Sequence, residues 1–194
     1  KNQMRLDKIF TLETGEISSI DNPLSESEKE LITTAMWGSE PIPFDSMEKS
    51  LHDFYRSITT LDERPNFEMI HEYPLGGKPP MMTHIFQNAQ GIRIIAAKGA
   101  PEAMMEVSYL REEEREILRQ KIALLASEGY RVLGVGISDF NGTDWPKKQQ
   151  DFRFHFKGLL AFYDPPKENI GEVLQEFYKA GIQVKIITGD IAAT

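Results

Sequence analysis

Four short segments carry residues whose types and order could do chemistry. In Ala96-Ala-Lys98-Gly99-Ala-Pro-Glu102, a Lys ends an apolar run and is followed by Gly and by a Pro that can open a helix. An ammonium beside bare backbone and a helix N-terminus suits a phosphate or a purine that must approach the chain closely. The plain alternative is a strand-to-helix turn with a surface lysine. Ile186-Ile-Thr188-Gly189-Asp190 follows a strand-like run. Its hydroxyl and amides could grip a phosphoryl oxygen and its carboxylate could serve Mg²⁺, or it could simply cap the next helix. Asp164-Pro-Pro-Lys167 reads as a helix start, with Asp as cap and Pro at the first position. Gly129-Tyr-Arg131-Val-Leu133 sets a guanidinium in an apolar strand, at an edge or cleft where it could hold phosphate or form a surface ion pair.

The elements that must position these residues follow from periodicity. Met4 to Phe10 and Ile17 to Ile20 read as strands around a Gly15 turn. Ser25-x-x-Glu28 is a capping box for a helix reaching Ser39, and Pro41 and Pro43 stop it. Asp45 or Ser46 caps a second helix through Leu51 and Tyr55. Residues 67–73, 81–87 and 91–97 read as strands, residues 111–128 as a helix ended by Gly129, and residues 130–137 as another strand. After a polar, turn-rich stretch, residues 156–162 read as a strand. A helix capped by Asp164 and ended by Gly181 follows, then a strand at 184–187. Strand, helix, strand is one βαβ unit of a parallel sheet. The expected fold is therefore α+β, an antiparallel twisted sheet with flanking helices, followed by a partial α/β segment.

Composition narrows the function classes. The 194 residues carry 22 Lys and Arg against 30 Asp and Glu, for a net charge of −8, and no basic face gathers for nucleic acid. With no Cys, disulfide and thiolate metal chemistry is excluded. His52, His71, His84 and His155 show no ligand spacing and read as structural, so no metal ligands are assigned. No apolar run approaches the ~20 residues that span a bilayer.

Taken in order, the four motifs resemble those of the P-type cation-transporting ATPases over essentially the whole chain. Lys98 to Glu102 matches the family's K-G-A-P-E, Gly129 to Leu133 its G-[LY]-R-V-L, Asp164 to Lys167 its D-P-P-R, and Thr188 to Asp190 its T-G-D. Lys1-Asn-Gln-Met4 resembles the segment after the phosphorylated Asp of D-K-T-G-T-L-T. The resemblance implies residues 1–10 as the start of the phosphorylation domain and hinge, 11–152 as the nucleotide-binding domain, and 153–194 as a partial, haloacid-dehalogenase-like phosphorylation domain. The hinge strands would lie around Lys8–Leu12 and Phe152–Phe156.

It also implies roles. Lys98 and Gly99 would line an adenine pocket, Glu48 would contact adenine, and Arg131 would reach the phosphates. Asp164 would sit at the hinge, and Thr188, Gly189 and Asp190 would serve the transferred phosphoryl group with Mg²⁺. Where the family has P-F-S-x-x-R-K-x-M-S, this chain has Pro74-Leu75-Gly-Gly-Lys78-Pro-Pro-Met-Met82-Thr83. Leu75 replaces the stacking aromatic, Pro80 stands where a Lys is expected, and Lys78 supplies some of the missing charge. The implied function is ATP binding in the cytoplasmic part of a membrane-embedded inorganic-cation pump. The chain's partners would be ATP and the rest of its own pump, and it would not itself enter the membrane. Without the phosphorylated Asp it should be inactive alone. Two other readings stay open: a free-standing nucleotide-binding regulatory module, and a soluble phosphatase, which would need an upstream D-x-D and no K-G-A-P-E.

Overall fold

The computed structural model describes residues 4–165 and 169–185. Seven strands form one sheet in the order β2-β1-β7-β6-β5-β4-β3. They are β1 (Arg5–Phe10), β2 (Ile17–Ser19), β3 (Phe67–Gly76), β4 (Met81–Asn88), β5 (Arg93–Gly99), β6 (Arg131–Ser138) and β7 (His155–Tyr163). Every neighbouring pair is antiparallel. The helices α1 (Glu26–Trp37) and α2 (Ser46–Ile58) cover one face, while α3 (Pro101–Glu106) and α4 (Glu112–Ser127) cover the other.

Period-two alternation sorts the strands between two cores. Leu6, Val135, Leu160 and Phe162 meet Leu31, Ile32, Met36, Leu51 and Tyr55 under α1 and α2. Ile95 and Ala97 turn the other way, with Met81 and Ile85, onto Met104, Phe152 and Phe154. Local signals set the helix ends. Ser25 and Glu28 close the expected capping box on α1, and the Asp45 side chain accepts from the Glu48 amide at the start of α2.

The C-terminal part departs from expectation. β7 is not a strand of a parallel sheet: it lies in the middle of the antiparallel one, between β1 and β6. Its run Leu159–Phe162 is fully buried, which a strand covered on both faces requires, and that continuous apolar run imitates a parallel strand in sequence. Of the stretches expected to be hinges, Lys8–Phe10 pair on both sides within the sheet, and Phe152 and Phe154 are buried just before β7. Residues 166–168, directly after Asp164-Pro165, lie outside the described residues. α5 (Ile170–Lys179) begins later, with Asn169 at its N-cap. Gly181 follows it at φ 74°, the left-handed turn expected of it. Residues 182–185 are not in a strand, and the rest of the expected strand lies outside the described residues.

Gly158 of β7 is forced by close packing. A Cβ there would collide with the carbonyl oxygen of Phe10 on β1 and with the Leu31 side chain of α1. Because one obstacle is backbone, the sheet itself must shift to make room. Gly158→Ala is expected to lose about 2–3 kcal/mol of stability, measured by urea unfolding, whereas Gly171→Ala, where nothing lies within 4 Å, should fall within about 0.5 kcal/mol of the parent.

Candidate functional site

Lys98, the penultimate residue of β5, lies on the α1/α2 side of the sheet, paired in register with Met82 on β4 and Val135 on β6. It is 5% exposed. Its Nζ donates to Glu48 Oε1 at 2.6 Å and to Ser39 Oγ at 2.7 Å. Ser39 Oγ in turn donates to the Ala35 carbonyl at the end of α1. Glu48 lies in the first turn of α2, and its Oε1 also accepts from the Glu40 amide at 3.2 Å. One ammonium thus joins the sheet to both helices. Burial pulls the Lys98 pKa below its usual value, and the Glu48 charge opposes that shift.

Beside this pair lies a cavity of about 280 Å³. Met47, Leu51, Met82, Leu133 and Phe162 supply apolar walls, Gly99 and Ala100 a stretch of backbone, and Glu40, Asp45, Glu48 and Lys98 the polar groups. Phe44 and Leu75 line it too and remain 75% and 66% exposed. Glu48 Oε2 is buried without a hydrogen-bond partner among the described residues. A buried carboxylate oxygen left in that state is costly unless something donates to it. Such a cavity, mostly apolar with a few convergent polar groups, is the usual form of a small-molecule site.

The structure brings Lys98, Gly99, Glu48 and Leu75 into this one cavity. Arg131 begins β6 and is exposed; it does not line the cavity, but Leu133, two residues along the same strand face, does. Lys78 is exposed in the β3–β4 turn and lines no part of it. Asp164 is half-buried just after β7. Thr188, Gly189 and Asp190 lie outside the described residues. Gly99 has a structural reason as well: a Cβ would sit 2.5 Å from Met81 Cα and 2.6 Å from the Pro80 oxygen, so the close approach is by β4. Sequence reading missed Ser39, Phe44, Met82 and Phe162. Two of these left a signal: Phe44 is an aromatic just before the Asp45 cap, and Met82 falls on the Met of the family's P-F-S-x-x-R-K-x-M-S.

Against known proteins, residues 44–169, more than half of the chain, match the family model described as P-type ATPase, cytoplasmic domain N. The chain belongs to the P-type cation ATPase family. A Dictyostelium discoideum relative named "Probable plasma membrane ATPase" is 30% identical over 189 residues, which is 95% of this chain and 17% of that protein. A sodium/potassium exporting P-type ATPase of Schizosaccharomyces pombe is 31% identical over 62% of this chain and 13% of its own length. A calcium-transporting ATPase of Bacillus subtilis is 29% identical over 66% of this chain and 16% of its own length. The chain therefore spans less than a fifth of the curated relatives it matches. Among the described residues no helix is long and apolar enough to cross a membrane.

Removing one partner of the buried pair strands the other's charge. Glu48→Ala is expected to destabilise the fold by about 3–5 kcal/mol. The double change Lys98→Met with Glu48→Leu should recover most of that loss, since an apolar pair of similar volume leaves nothing unpaired. Chemical denaturation of the three proteins checks both outcomes.

Proposed function

We propose that the chain is the ATP-holding cytoplasmic part of a P-type pump that moves an inorganic cation. The adenine base occupies the cavity beside the Lys98–Glu48 pair. The observation that carries this reading is the partnerless Glu48 Oε2 in an apolar cavity. An exocyclic amino group can donate to that oxygen while its ring packs on Leu133, Met82 and Phe162. At about 280 Å³ the cavity is just below the usual range for whole ligands, so it suits the base alone and leaves the ribose and phosphates outside. In this reading Arg131, on the same strand face as Leu133 but beyond the cavity, holds them by paired hydrogen bonds.

Phosphate delivery requires a second domain, and two features support one. β1 and β7 pair from Arg5 and Tyr163 inward, so the chain enters and leaves the sheet side by side. Met4–Arg5 and Tyr163–Pro165 then form the joint, which moves the hinge outward from the positions inferred from sequence and puts Asp164 in it. Beyond the joint, α5 leaves Ile170, Phe177 and Tyr178 exposed, an apolar stripe that a further domain would cover. In this reading closure of the joint carries the γ-phosphate to an Asp upstream of this chain. Mg²⁺ and the Thr188–Asp190 segment neutralise the charge there, on the cytoplasmic side of a membrane. The chain alone then binds ATP without turning it over.

Leu75 presents no π-face at the cavity mouth, so binding is expected in the high micromolar to millimolar range. Titration of Mg-ATP by calorimetry, with amide spectra to verify the fold, tests this. Leu75→Phe should tighten binding about fivefold or more, the equivalent of ~1 kcal/mol of base stacking. Phe44→Ala and Arg131→Ala should each weaken it. Unchanged affinity in all three variants, or no binding at millimolar nucleotide, contradicts the proposal.

A further inference from the structure

His84 stands in the middle of β4, fully buried under the end of α1. Its Nδ1 lies 3.1 Å from the Ser39 carbonyl oxygen. A carbonyl only accepts, so Nδ1 carries the hydrogen and Nε2 of the neutral ring presents a lone pair. That Nε2 is buried and has no hydrogen-bond partner among the described residues. What lies nearest is Glu40 Oε1, at 3.9 Å, too far for a hydrogen bond. On the same face, Glu72 of β3 is the register partner of His84. One ligand atom from each of Glu40, Glu72 and His84 lies within 4.8 Å of the other two.

Three electron-pair donors thus converge with no hydrogen shared among them, and the charges already present are spent elsewhere. Lys98 is held by Glu48 and Ser39 on the neighbouring strand. Burial, then the charges of Glu72 and Glu48, push the Glu40 carboxyl above its usual value, and burial lowers the His84 imidazole. The neutral imidazole is the form that ligates metal.

We propose that Glu40, Glu72 and His84 bind a divalent transition-metal ion of the zinc type at the rim of the nucleotide cavity. One imidazole nitrogen with two carboxylates suits zinc and its neighbours, whereas Mg²⁺ prefers oxygen ligands alone and keeps its waters. The Ser39 carbonyl does for His84 what backbone acceptors do for metal-bound histidines, fixing the tautomer and the ring's direction. Bonds of ~2.0–2.2 Å set tetrahedral ligand separations of about 3.3 Å, so the ion draws the partly exposed Glu40 and the exposed Glu72 inward onto the fixed ring. A fourth position stays open to water. The Glu40 backbone also donates to Glu48, so the ion steadies the loop that holds the cavity's acceptor without touching it.

The ion's binding needs no nucleotide, so it can be tested apart from ATP binding. Co²⁺ serves as a spectroscopic probe and Zn²⁺ as its competitor, added to the 194-residue chain without nucleotide. One equivalent of Co²⁺ should bind with visible d–d absorption, be displaced by Zn²⁺, and be unaffected by millimolar Mg²⁺. Glu72→Gln, on an exposed strand position, and Glu40→Gln should each weaken binding at least about tenfold, with amide spectra matching the parent. His84→Gln should abolish it. Absence of binding at millimolar ion overturns the proposal. So does one-equivalent binding that keeps its affinity in both carboxylate variants, which would put the metal on His52, His71 or His155 instead.

Discussion

Most of the site rests on a single buried ion pair. Lys98 reaches from the end of β5 across the sheet face to Glu48 on α2, and it takes Ser39 at the end of α1 on the way. Two charges inside a protein hold only if nearly every valence is used, because the desolvation penalty of each otherwise exceeds their attraction. Here the ammonium has two acceptors, and one carboxylate oxygen has two donors. The second carboxylate oxygen does not share in that economy. The pair therefore fixes where α1, α2 and β5 meet, and the same geometry leaves one carboxylate oxygen without a donor among the described residues.

The surrounding fold makes this arrangement rigid. An antiparallel sheet covered on both faces gives β4, β5 and β6 continuous pairing, so Met82, Lys98 and Val135 stay in line. The α1/α2 layer packs its apolar stripe on Leu6, Leu160 and Phe162, and the cavity is what remains where that layer ends. β1 enters and β7 leaves the sheet side by side, as neighbouring interior strands. A rigid holder on a narrow joint suits positioning chemistry, in which geometry does the work.

Much of this was legible in the sequence, for identifiable reasons. Capping at Ser25 and Asp45 and the Gly129 and Gly181 helix ends are local signals, and the structure follows them. Of the residues that the resemblance implies for the nucleotide, Lys98, Gly99, Glu48 and Leu75 line one cavity, and Lys78 and Arg131 do not. What failed was non-local. A buried central strand in an antiparallel sheet has the same unbroken apolar run as a parallel strand, so periodicity alone does not assign β7 to its sheet. Ser39, Phe44 and the Glu40–Glu72–His84 group come from separate elements, and no spacing rule joins them; a cross-strand pair such as Glu72 and His84 exists only once the register is set.

The account's central claim is that an adenine base sits against the apolar wall beside Glu48, and the most direct measurement is of proximity. In a sample saturated with Mg-ATP, nuclear Overhauser contacts from adenine H2 and H8 should reach the methyl groups of Leu133 and Met82 and the ring of Phe162. Contacts from those protons to some other surface, or their absence from all three residues while ATP is bound, would contradict it.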